Sequence, residues 1–155
     1  MEPLDAFLRW AAGPLLNTRN REAYAEWLVL QALGLEPGLH RQEGGDDARG
    51  EGTIDVAVRS AAYLQGPEQT TPNPISFAIQ QRMAPVFVFC LLNESDPRCA
   101  DPLLHSQWLF WVVPTRTLHP ERQTIGLQAL LRAHGDGVSY DQLPQHLEAV
   151  LAEIS

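Results

Sequence analysis

The chain has 155 residues, 45% of them hydrophobic, which is enough for one substantial core and too little for two. Its formal net charge of −8 opposes a large nonspecific affinity for nucleic acid, because neutralising phosphates needs a basic surface. All eleven basic residues are arginines, and a permanently protonated guanidinium cannot act as a general base or form a Schiff base, so lysine-dependent chemistry is excluded.

In chain order, Leu4, Phe7, Leu8, Ala11 and Ala12 recur at helical spacing until Gly13-Pro14 interrupts them, which predicts an N-terminal helix within residues 1–16. From Thr18 or Asn20 as a cap, residues 22–33 present Tyr24, Trp27, Leu28, Leu30 and Leu33, with Gly34 placed to stop a second, stronger helix. Residues 36–52 are polar with five glycines and read as a loop or irregular hairpin; without a Lys-Ser/Thr pair they do not make a phosphate-binding loop. Residues 53–59 alternate, with Ile54, Val56 and Val58 on one side and Asp55, Ala57 and Arg59 on the other, predicting a half-buried strand.

Further strands are expected at 75–79, 86–92 and 107–113, so the centre of the protein is a sheet. The connection at 93–105 contains Asp96-Pro97 and Asp101-Pro102, and Pro114 closes the last strong strand. Trp108 and Trp111 fall on opposite faces of their strand, which favours core packing for at least one over stacking on bases. Two amphipathic helices follow, at 123–134 and at 141–154. The apolar runs stop well short of the roughly 20 residues a membrane-spanning helix needs, so no membrane is expected as a partner.

The five histidines lack HExxH-like spacing and the two cysteines form no C-x-x-C pair, so no dedicated zinc site is expected. Neither Ser60 nor Ser106 sits in a Gly-x-Ser-x-Gly turn, which gives no support to a hydrolase triad. Two cysteines make no disulfide framework and the acidic opening Met1-Glu-Pro-Leu-Asp5 does not look like a signal peptide; both point to the cytoplasm.

The segment Asn20-Arg21-Glu-Ala-Tyr-Ala-Glu26-Trp-Leu-Val29 resembles the first core helix of a bacterial group in the PD-(D/E)XK, or restriction-endonuclease-like, nuclease superfamily, where Asn-Arg-Gly precedes Ala-Glu-Tyr-Leu-Val. Arg59-Ser-Ala-Ala-Tyr-Leu-Gln65 is similar to that group's Lys-Ser-Ser-Ala-Tyr-Leu-Gln. The likeness continues through residues 87–92, Asp101-Pro-Leu103, Ser106-Gln-Trp108 and Val113-Pro-Thr115, covering residues 17–145. It implies an α/β fold with a restriction-endonuclease-like core, a central mixed sheet flanked by helices, in a single domain spanning 1–155.

In that superfamily an Asp and the Glu of a Glu-x-Lys motif hold a divalent metal, and the Lys helps to position or activate the attacking water. Hard oxygen ligands suit magnesium, which acidifies water and stabilises charge developing on phosphate. Here Ala57 stands at the Glu position and Arg59 at the Lys position. Glu26 matches the helix glutamate, the strand acid falls at Asp46 or Asp47, and Asp55, about 6–7 Å from Ala57 along the strand, is the candidate replacement carboxylate.

The degenerate site therefore comprises Glu26, Asp47, Asp55 and Arg59, with Glu26, Asp46, Asp47 and Asp55 as ligands for magnesium or manganese if the protein is active, and no cofactor otherwise. Arg59 has two roles open to it, phosphate binding or an ion pair with Asp55. Tyr63-Leu64-Gln65 reads as a structural corner. The leading expectation is a catalytically impaired nuclease-like protein, not an enzyme, that binds a protein partner, another copy of itself or, less favoured by charge, nucleic acid, in genome defence or DNA maintenance. An active metal-dependent endonuclease and a self-associating scaffold are the alternatives.

Overall fold

The computed structural model describes residues 3–11, 18–34, 47–48, 56–64, 69, 71–80, 84–96 and 98–154. Two helices open the chain, α1 (Pro3–Ala11) and α2 (Thr18–Ala32), and Gly34, at φ 76°, lets the backbone leave α2 in a conformation most side chains disfavour. A mixed sheet follows in the order β1-β2-β4-β5, built from β1 (Asp47–Ala48), β2 (Val56–Ala62), β4 (Val86–Leu92) and β5 (Trp108–Pro114). β2 and β4 run parallel, whereas β1 on β2 and β5 on β4 are antiparallel. A second, two-stranded sheet pairs β3 (Ser76–Ala78) with β6 (Thr124–Gly126), and α3 (Leu127–His134) and α4 (Leu143–Ile154) complete the fold.

Strand alternation divides the core in two. Val56, Val58 and Ala62 of β2, Val88 and Cys90 of β4, and Trp108 and Phe110 of β5 face Ala25, Leu28 and Val29 of α2 and Leu143, Leu147 and Val150 of α4. On the other face Ala57, Phe87, Phe89, Trp111 and Val113 meet Phe77 of β3, Ile125 of β6 and Leu130 of α3. All seven residues of β4 are buried, as expected of a strand covered on both faces. Trp108 and Trp111 do lie on opposite faces, and both are core; their indole N–H groups donate to the carbonyls of Pro102 (2.8 Å) and Gly135 (2.9 Å).

Three expectations need correction. The strand expected to be half-buried is buried on both faces, with Arg59 alone intermediate, because a second layer covers the side that alternation assigns to Ala57 and Arg59. It also runs on to Ala62, while residues 53–55 lie outside the described residues. The helix expected from residue 123 begins at Leu127: Thr124–Gly126 pairs with β3 instead, a long-range partner that local periodicity cannot reveal. The last helix is preceded by a 3-10 turn at Tyr140–Gln142, capped reciprocally by Ser139 and Gln142.

The chain bends at Tyr63, the first residue of the expected corner, and Gln65 lies outside the described residues. The Tyr63 carbonyl accepts from the backbone N–H of Asn73 at 2.7 Å and from Gln69 Nε2 at 3.3 Å, and Leu64 is buried.

Candidate functional site

Helix α2 packs over β2 with a stripe of small and apolar residues, and Arg21 lies on the same side, one turn before Ala25. Arg21 is only 3% exposed, and its Nε donates to Ser60 Oγ on β2 at 3.4 Å. Burial lowers the guanidinium's pKa, an effect opposed by neighbouring Glu22. Glu26, also on α2, is 8% exposed, and its Oε2 has no solvent contact. A buried polar group thus lies between the first long helix and the sheet, with Ser60 in register beside the buried thiol of Cys90, whose pKa burial raises.

The positions that carry the nuclease resemblance on β2 face away from this helix. Ala57 is 1% exposed and belongs to the apolar cluster that contains Phe77 and Phe87. Arg59, two residues on and so on the same face, is half-buried; its guanidinium carbon lies 5.2 Å from the centroid of the Phe87 ring, and one terminal nitrogen donates to the Val58 carbonyl at 3.0 Å. The short strand β1 brings Asp47 into register with Ala57, its Cα partner. Asp46 and Asp55 lie outside the described residues. The fold therefore brings the Asp47 backbone beside Ala57, two residues before Arg59, and sets Glu26 on the helix covering the opposite face of β2.

A concave site lies at the sheet edge. A cleft of ≈ 110 Å³ opens between the end of α3 and α4, lined by His134, Asp136 and His146 above Phe110 and Trp111. Burial lowers the His134 pKa, which favours the neutral imidazole. Among the described residues no three His, Cys, Asp or Glu side chains converge as a metal-binding group. Comparison with protein-family models, curated proteins and solved structures found no match to this chain.

Sequence reasoning passed over Arg21 and Ser60 as a pair. The signal was present in part: Arg21 continues the stripe of Ala25, Leu28 and Ala32, so a charge on the buried side of α2 was readable. Its hydroxyl partner, 39 residues away, was not.

Proposed function

We propose that this chain is a nuclease-like α/β domain, built on a restriction-endonuclease-like core, that acts by binding a macromolecular partner and not by hydrolysis. The observation that carries the reading is Ala57: at the position where the resemblance calls for a metal-binding glutamate, a methyl group is 1% exposed among aromatic and aliphatic side chains. A carboxylate there would lose its hydration and needs a metal or a cationic partner to offset that cost, whereas alanine closes the layer without either. Arg59 supports the same reading, because a guanidinium resting on Phe87 stabilises charge but does not deprotonate water. The acidic composition favours a protein partner, which can be another copy of the chain, over nucleic acid. A role in genome defence or DNA maintenance follows from the resemblance alone.

The register of Asp47 with Ala57 favours one rival, a magnesium- or manganese-dependent endonuclease using Glu26, Asp46 or Asp47, and Asp55, with Arg59 on phosphate. The deciding experiment offers labelled single- and double-stranded DNA and RNA, with each metal, to wild type, Glu26→Ala and Asp55→Ala. The expected result is no cleavage that depends on these acids. Cleavage by wild type that both substitutions abolish would establish a relocated metal site and end the binding-only reading.

A further inference from the structure

Five rings gather where α2 meets the loop before β5 and the turn before α4. Tyr24 stacks on Trp27 with centroids 5.7 Å apart, and its hydroxyl shares a 3.2 Å hydrogen bond with His105 Nε2. His105 in turn lies 4.5 Å from the Tyr140 ring, and Trp108, 6.4 Å from Tyr24, forms a buried floor. The outer members stay open to solvent: Trp27 is 39% exposed, neighbouring Leu104 is 45% exposed, and His105 is exposed. The indole and phenol rings of this surface, fixed from below and wet on top, carry faces of negative potential.

Its edge is acidic. Asp141 is exposed and directly follows Tyr140 in the 3-10 turn, and half-buried Asp101 stands four residues before His105 in the loop that leads into β5; after burial, Tyr140 and Asp101 raise the Tyr24 pKa and Asp141 raises that of Tyr140. Asp101 is held in place: its Oδ1 accepts from the Leu103 N–H at 3.1 Å, and its own N–H donates to Gln107 Oε1 at 2.8 Å. We propose that the surface formed by Tyr24, Trp27, His105 and Tyr140, edged by Asp101 and Asp141, docks an arginine or lysine side chain presented on a partner's peptide segment. The rings supply cation–π attraction, the carboxylates supply charge complementarity, and the net charge of −8 draws a basic segment toward the protein. A stacked nucleobase would find the same rings, but its phosphates would meet those two acids. This site is independent of the nuclease-like reading, since it uses none of the residues that the cleavage assay varies.

The test uses full-length protein and a labelled Gly-Arg-Gly-Arg-Gly peptide, with the citrulline version as an uncharged mimic and an oligothymidylate as the nucleic-acid probe. We expect the citrulline peptide to bind at least about fivefold more weakly than the arginine peptide. Trp27→Ala, and separately Asp101→Asn with Asp141→Asn, should each weaken arginine-peptide binding about three- to tenfold at low ionic strength. Asparagine keeps the oxygen that accepts from Leu103, so the loop is preserved. In wild type the peptide should shift the NMR signals of the Trp27 indole and the His105 ring. Equal binding of the two peptides, unshifted Trp27 and His105 signals, insensitivity to both sets of substitutions, tighter oligothymidylate binding that needs Trp27, or dimerisation through Trp27 would each overturn the proposal.

Discussion

On the α2 and α4 side of the sheet, valines and small residues of β2 and β4 meet helical stripes, the aromatic rings Trp108 and Phe110 come from the border strand β5, and the layer admits polar groups: Arg21 reaches Ser60, and Glu26 of the same helix is buried. On the β3, β6 and α3 side the strands project Phe87, Phe89 and Trp111, and Arg59 lies against the Phe87 ring. Phe77 and Phe89 sit 5.1 Å apart and Phe87 and Phe89 5.4 Å apart, so this second face is an aromatic layer. One face of β2 thus accommodates charge under the helix, while the other is closed around Ala57. One strand therefore carries two chemistries, and the residue type tolerated at each position of β2 is set by the layer that covers it.

The largest effect expected from breaking this contrast is that of Ala57→Glu. Introducing a carboxylate among the aromatic side chains should cost about 4 kcal/mol of stability in urea unfolding, through desolvation and overpacking together. Added magnesium should not restore it. Restoration by magnesium would mean that acids of this chain converge on that strand after all.

A smaller effect, about 2 kcal/mol, is expected for Gly137→Ala at the edge where the chain crosses from one face to the other. Gly137 has φ +84°, and a Cβ there would stand 2.9 Å from Trp111 Cε2, with the Phe110 carbonyl at 3.1 Å. A change within a few tenths of a kcal/mol in the same unfolding assay would show that the crossing yields without disturbing either layer.

The smallest effect concerns His134 at the same edge. Its pKa is lowered by burial from the ordinary 6.5, so the unfolded chain takes up the proton first as pH falls. The stability it contributes is complete above about pH 6.5 and declines as pH drops through the folded-state value. The partly exposed ring limits the loss to less than about 1 kcal/mol. His134→Gln should flatten the acid side of a plot of melting temperature against pH; an unchanged slope would assign the acid sensitivity elsewhere.

Much of the fold was legible because its strands carry continuous apolar runs and its helices carry stripes. Residues 86–92 coincide with β4, and the alternation of Val56 and Val58 against Ala57 was correct. The second layer was not legible. Ser76–Ala78 and Thr124–Gly126 are three residues each, too short for a period to register, and they pair across almost fifty residues. For the same reason β2 looked half-solvated: alanines at 57 and 61 do not announce burial, and only the cover over them makes them core. At the candidate site, Ala57 and Arg59 were plain in the sequence as departures from the pattern it resembles, while the aromatic gathering of Tyr24, His105 and Tyr140 depends on contacts across more than thirty residues.

The backbone between α3 and α4 has a consequence for how the protein coexists with other copies of itself. β5 lies at the border of the main sheet, where an unoccupied row of amides and carbonyls is a template for intermolecular strand pairing. At Phe110 that row is taken: its N–H donates to the Val138 carbonyl at 2.9 Å, and the Val138 N–H returns a bond at 2.8 Å. One bridge in the middle of a seven-residue strand obstructs the continuous register that a foreign strand would need, so the same short crossing that joins the two layers also guards an apolar border against aggregation.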